Sequence, residues 1–172
     1  MQISEKVKLI SEEHKYSSDH KLKRLGYGEW VEEPDEVCFE YKGYTCHVNR
    51  VYRQEPYNPE YWFGGHLCGY VEIPKDNKYY EKHYDDIDVD CHGGLTYSEM
   101  VDEKWKIGFD CAHSGDISPS IENFKKTNSE MKEFEKRFPV PKGFENFILF
   151  NPIYRNIEFC INECCNIVDQ LI

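Results

Sequence analysis

At 172 residues with 15% aromatic content, the chain is long enough to bury a core as one domain over residues 1–172, without covalent staples. A net charge of −11 repels a polyphosphate backbone over any long contact, which argues against general nucleic-acid binding while leaving room for one small anion in a local basic pocket. No apolar run approaches the ~18 residues of a spanning helix, and Met1-Gln2-Ile3-Ser4-Glu5-Lys6 lacks the basic-then-apolar order of a signal peptide, so no membrane association and a cytoplasmic location are expected. In that setting the eight cysteines read as reduced thiols, acting as small buried hydrophobes or as site members.

From the N-terminus, Ile3, Val7 and Ile10 recur at helical spacing, which predicts a short amphipathic helix over Ser4 to His14. Lys21 to Arg24 forms a basic patch before a turn at Gly26 and Gly28. Glu36 to Tyr41 alternates as a strand, Lys42-Gly43 is a two-residue turn signal, and Tyr44 to Arg50 returns as the second strand of a hairpin. Gln54 to Gly65, interrupted by Pro56 and Pro59, reads as a loop ending in the aromatic cluster Tyr61, Trp62 and Phe63. His66 to Ile73 is a further strand with Leu67, Val71 and Ile73 on one face and His66, Cys68, Tyr70 and Glu72 on the other. Lys75 to His83 is expected to form a helical turn or two.

Two segments then carry most of the chemistry. Asp85 to Asp90 alternates acidic and apolar residues as a strand and opens into Cys91-His92-Gly93-Gly94-Leu95-Thr96-Tyr97-Ser98. Trp105 to Asp110 does the same and opens into Cys111-Ala112-His113-Ser114-Gly115-Asp116. Beyond them, Ser129 to Phe138 predicts a helix capped by Ser129 and stopped by Pro139, and Phe144 to Phe150 is an apolar run of undecided type. Ile157, Cys160, Ile161, Cys164, Ile167, Val168 and Leu171 form one stripe and predict a packed C-terminal helix. Strands in the middle with helices at both ends predict an α+β fold on a mainly antiparallel sheet.

Four places put Cys and His together: Cys46-His47, His66 with Cys68, Cys91-His92, and Cys111 with His113. None has the two-residue spacing of a zinc knuckle, so unrelated thiols and polar histidines are favoured, no cofactor is expected, and zinc is the alternative. Asp86, Asp88 and Asp90 on one face of a strand repel each other unless a cation such as Arg50 or Arg53 balances them. Gly93 and Gly94 allow positive φ and exposed amides, and Thr96 and Ser98 add hydroxyls. Joined by Asp110, His113, Ser114 and Asp116 from the second segment, these groups predict a polar pocket. A nucleophile–base pair drawn from Cys111, His92, His113 and Asp116 is the catalytic version of the same pocket.

The blocks Tyr44 to Arg50, Gly65 to Val71, Tyr84 to Ser98 and Gly108 to Asp116, with the helix around Glu163, resemble a family of uncharacterised bacterial and bacteriophage proteins. That resemblance covers roughly residues 30 to 120 and implies a phage or mobile-element origin, with no activity attached. Small acidic phage proteins that trap host immune signals offer an analogy for its role in counter-defence. The leading expectation is therefore a module that binds, or sequesters, a small polar or nucleotide-derived ligand. Its contacts would be Arg50, His66, Asp88, His92, Gly93, Gly94, Thr96, Ser98, Asp110, His113, Ser114 and Asp116, with Arg50 as the phosphate partner. The alternative is a small-molecule hydrolase using His92, Cys111, His113 and Asp116, with or without a metal. The composition is compatible with a homo-oligomer.

Overall fold

The structure, a computed structural model, describes residues 6–139, 141–143 and 152–172, so the apolar run Phe144 to Phe150 lies outside the described residues. Strands β1 (Lys8–Glu13), β2 (Glu36–Tyr41), β3 (Tyr44–Glu55), β4 (Asn58–Ile73), β5 (Tyr97–Val101) and β6 (Lys104–Asp110) form one sheet in the order β1-β2-β3-β4-β6-β5. Every adjacent pair is antiparallel. Helices α1 (Ser18–Leu25), α2 (Pro119–Thr127), α3 (Ser129–Arg137) and α4 (Ile157–Leu171) complete an α+β fold.

Local chemistry makes the two tightest hairpins. Lys42 and Gly43 both adopt positive φ between β2 and β3, as do Asp102 and Glu103 between β5 and β6, which matches the twist of two-residue hairpin turns. Alternation then assigns the faces. Phe39, Cys46, Val48, Leu67, Val71, Ile107 and Phe109 point to one side and pack against Ile157, Cys160, Ile161, Cys164, Ile167 and Val168 of α4 in a single buried cluster. His47, Tyr70, Glu72, Lys106 and Asp110 belong to the opposite, half-buried face, where His47 Nε2 lies 2.9 Å from Glu72 Oε1.

Three sequence expectations are corrected here. Lys8 to Glu13 lies within the segment expected to be helical but is a strand; all six side chains are exposed, so apolar spacing carries no burial signal and pairing along β2 decides the conformation. Gln54 to Gly65 is not a loop but the distal arm of the β3–β4 hairpin, its prolines sitting where the ladder shifts register near the tip. Asp85 to Asp90 is not a strand. Residues 84–86 form a 3-10 turn, and the backbone beyond them runs along α4. There Asp90 N donates to Gln170 Oε1 (2.8 Å), while Gln170 Nε2 and Asn166 Nδ2 donate to Asp90 O (2.8 and 3.0 Å). The alternation is nonetheless real: Ile87 and Val89 enter the core, and Asp86, Asp88 and Asp90 stay in solvent.

A bulge in β4 prepares the site. The register against β3 shifts between Arg50 and Tyr52, with Gly64 at φ +92° and Gly65 at φ +89°. A side chain on Gly64 would lie 2.3 Å from the Val51 carbonyl oxygen, so only glycine permits this bend. α2 packs on the bulge: Gly64 N donates to Ser120 Oγ (2.8 Å) and Ser118 Oγ to Gly64 O (3.2 Å).

Candidate functional site

The loop after β6 is wound by its own polar atoms. Ala112 N donates to Asp110 Oδ1 (3.0 Å), His113 N to Asp116 Oδ2 (3.0 Å), and Asp116 N to His113 O (2.9 Å), with Gly115 at φ +92°. Gly115 and Ile117 then pair with Ile153 through two backbone hydrogen bonds. The earlier loop is delivered by α4, whose Glu163 Oε2 accepts from His92 N at 2.8 Å. Between these two loops, His92 Nε2 lies 2.8 Å from Asp116 Oδ2, and the His92 and His113 rings meet edge to face with centroids 5.6 Å apart.

Asp116 is the hub. Its side chain is 1% exposed, and Arg155 Nε donates to Oδ1 at 3.0 Å while Oδ2 serves His92 and the His113 amide. Burial opposes the carboxylate charge, but the hydrogen bonds from His92, Arg155 and the His113 amide outweigh it and hold the pKa below its ordinary value. Gly93, at φ +68°, lies directly beneath His113: a Cβ there would sit 2.2 Å from the ring. The imidazole is therefore clamped between a backbone turn and a buried carboxylate.

His113 and Asp116 form one wall of a cleft of about 480 Å³, also lined by Phe63, His66, Ser114, Ser118, Ser120 and Lys125. That volume falls in the range of small-molecule sites, roughly 300–1,000 Å³. Burial lowers the pKa of His66, favouring its neutral ring. Its Nδ1 and the Nδ1 of His113 are buried without a hydrogen-bond partner among the described residues. For His113 the nearest carboxylate oxygens, on Asp110 and Asp116, lie at 3.6 and 3.8 Å, too far for a good hydrogen bond.

Of the residues singled out in the sequence, His66, His113, Ser114 and Asp116 line the cleft, and His92, Gly93 and Asp110 lie against its His113 and Asp116. Thr96 is one step removed, donating through Oγ1 to Asp110 Oδ2 at 2.9 Å. Gly94 has open space around it. Ser98 is turned away to accept from Tyr84 N (3.0 Å), and exposed Asp88 is not among the cleft residues. Cys111 is 1% exposed with Sγ 3.6 Å from Cys160 Sγ, so it faces the core and not the cleft.

Arg50 is corrected most sharply. Its side chain is buried, with Nε on Asp35 Oδ1 (2.9 Å), Nη1 on Gly65 O (2.8 Å) and Tyr154 Oη (2.9 Å), and Nη2 on Glu33 Oε2 (3.2 Å) and Pro34 O (3.1 Å). Every face of the guanidinium is occupied, so it cannot serve a phosphate. Arg155 was missed because its only local context is the helix start at Asn156, which gives no sign of a distant carboxylate. Only the fold lays it against Asp116 and over the Phe159 ring, 4.8 Å from the centroid. Ser118 and Ser120 were missed too, although Ser118-Pro119 is a recognisable helix start.

Searches against protein-family models, curated proteins and solved structures found no match to this chain.

Proposed function

We propose that the protein binds a small polar ligand, nucleotide-derived in its best-fitting form, in the cleft between the β6–α2 loop and the β4 bulge. The observation that carries this reading is the buried Asp116 carboxylate, which holds His92, His113 and Arg155 together beside a cavity of about 480 Å³. Buried polar clusters of this kind are costly and persist where they orient groups toward something. Phe63 on the wall offers a face for a planar ring, while Ser114, Ser118 and the imidazoles offer hydrogen bonds at the other end. Lys125 is the cation on the cleft lining, which also carries Glu122 and Asp116, while Arg155 is paired with Asp116 behind it.

Binding is favoured over hydrolysis by a cysteine nucleophile. Cys111 faces Cys160 in the core, and burial pushes the thiols of Cys68 and Cys91 up to about 12, far from thiolate formation at neutral pH. The hydrolase reading then reduces to His92 as a general base oriented by Asp116, with water as nucleophile. Sequestration of a signalling nucleotide fits a cleft whose described lining offers hydroxyls and imidazoles for hydrogen bonding and no cysteine.

The test is to purify the chain from a bacterial host, release bound small molecules by heat, and identify them by mass spectrometry. In parallel, a panel of linear and cyclic nucleotides is screened by thermal shift. The expected result is one compound recovered chemically unchanged, lost in His113→Ala. Recovery of a cleavage product transfers the site to the hydrolase reading, and no compound from either route removes the binding reading.

A further inference from the structure

Resting on that reading of the cleft, we infer that His92, His113 and Asp116 form a three-ligand site for a borderline divalent transition ion, with zinc as its representative. One ligand atom from each of the three lies within 4.8 Å of the other two. Tetrahedral zinc bonds of about 2.0–2.1 Å place neighbouring ligand atoms about 3.3 Å apart, so seating an ion requires the ligand atoms to close by up to roughly 1.5 Å. His92 Nε2 and Asp116 Oδ2, now 2.8 Å apart, must open by roughly half an ångström on that geometry.

The second observation is independent of that proximity. His113 Nδ1 is buried, points between two carboxylates, and finds no hydrogen-bond partner among the described residues. A buried ring nitrogen without a partner is expensive, and an ion coordinated through its lone pair would satisfy it. The ring has little freedom to turn elsewhere, because Gly93 lies against it so closely that a Cβ would sit 2.2 Å away.

The surrounding groups fit a site with an open position. Arg155 holds Asp116 Oδ1 at 3.0 Å, which leaves Oδ2 as a single-oxygen ligand, and such outer partners usually fix a ligating carboxylate. On coordination the lone pair of His92 Nε2 turns to the ion and its N–H resides on Nδ1. Three protein ligands leave a coordination position toward the cleft for water or for an oxygen of the bound molecule. Two imidazoles and one carboxylate select a borderline ion over magnesium or calcium, which prefer oxygen ligands throughout. An ion here would also supply the positive charge that Arg50, committed elsewhere, cannot.

The test uses the full chain, stripped with a chelator under reducing conditions and titrated with Zn²⁺ alone against a competing indicator. One Zn²⁺ per chain is expected, weakened at least tenfold by His113→Ala and by Asp116→Asn, on the scale that metal-site changes produce. His47→Ala, whose ring is paired with Glu72 and is not among the cleft residues, is expected to leave the affinity unchanged. Because Asp116→Asn also removes the hub, Co²⁺ loaded into the unaltered chain gives a second readout: visible bands of an N/O site without a thiolate charge-transfer band. Unchanged affinity in His113→Ala, a thiolate band, or no Zn²⁺ binding overturns the inference. If no Zn²⁺ binds while a small molecule is still retained, the binding reading stands and the ion alone is removed.

Discussion

Gly93 carries the sharpest steric demand at the site. Gly93 and Gly94 both have positive φ, +68° and +82°, and alanine at either costs on the order of 1 kcal/mol in backbone strain. Only Gly93 has a neighbour in the way, since open space surrounds Gly94. Gly93→Ala is therefore expected to cost a further ~1–3 kcal/mol by urea denaturation and to abolish ligand binding, while Gly94→Ala leaves binding intact. Equal losses for the two would remove the clamp argument. At His66 the quantity to follow is pH. Burial lowers its folded pKa below the ordinary 6.5, so the unfolded chain takes a proton that the folded chain refuses. Its stabilising effect is complete above about pH 6.5 and is lost as pH falls from there toward the folded pKa. His20 is shifted in the same direction, by burial first and then by Arg24. His66→Gln is expected to flatten part of the fall in urea midpoint between about pH 7 and 5; an unaltered slope would mean that His66 is not the group responsible.

Among the elements, α4 does more than fill the core. Its polar edge pins residues 90–92 through Gln170, Asn166 and Glu163, and its N-terminus is held by Glu33, whose Oε1 accepts from Ile157 N at 3.1 Å. Glu163→Ala removes the acceptor for the His92 amide. It is expected to cost about 1–3 kcal/mol of stability and to weaken ligand binding more than stability alone explains, as measured by calorimetry on the folded protein. Arg50→Ala leaves the buried carboxylate of Asp35 with Lys21 Nζ, at 3.4 Å, as its remaining cation and takes the cationic partner from Glu33, so a loss of about 3 kcal/mol is expected with ligand affinity unchanged in whatever remains folded. The elements also differ in how far sequence exposed them. The β2–β3 hairpin and α4 were legible because each is defined by a local turn or a one-sided apolar stripe. β1 was not, being exposed on both faces. The Asp85 to Asp90 segment showed its true inside–outside alternation, but the hydrogen bonds that hold its end at Asp90 go to side chains 76 to 80 residues away, which no local pattern reveals.

For the molecule as a whole, a ligand that binds only the folded state at 100 times its Kd adds about 2.7 kcal/mol, or roughly 5–10 °C in melting temperature for a domain of this size. That shift should vanish in His113→Ala and persist in His47→Ala. Thiol accessibility tests the packing independently: Cys46, Cys68, Cys111, Cys160, Cys164 and Cys165 are buried, while Cys38 and Cys91 are half-buried. Alkylation is expected to reach half-buried Cys38 first, Cys91 more slowly because burial raises its thiol to about 12, and the other six only on unfolding; rapid labelling of Cys111 would contradict the core arrangement. What the amino-acid order alone determined is what short-range physics controls: the α+β class, the strand alternation, the C-terminal stripe, and the two glycine-containing loops as places where polar groups gather. What only the tertiary structure decided is which groups converge. His92 reaches Asp116 because α4 carries its loop there, Arg155 is placed on the same carboxylate by the pairing of residue 153 with the β6 loop, and Arg50 is drawn into a buried charge cluster. Each of those outcomes depends on contacts between segments far apart in the chain, where burial makes an unpaired polar group costly and most donors are matched with acceptors.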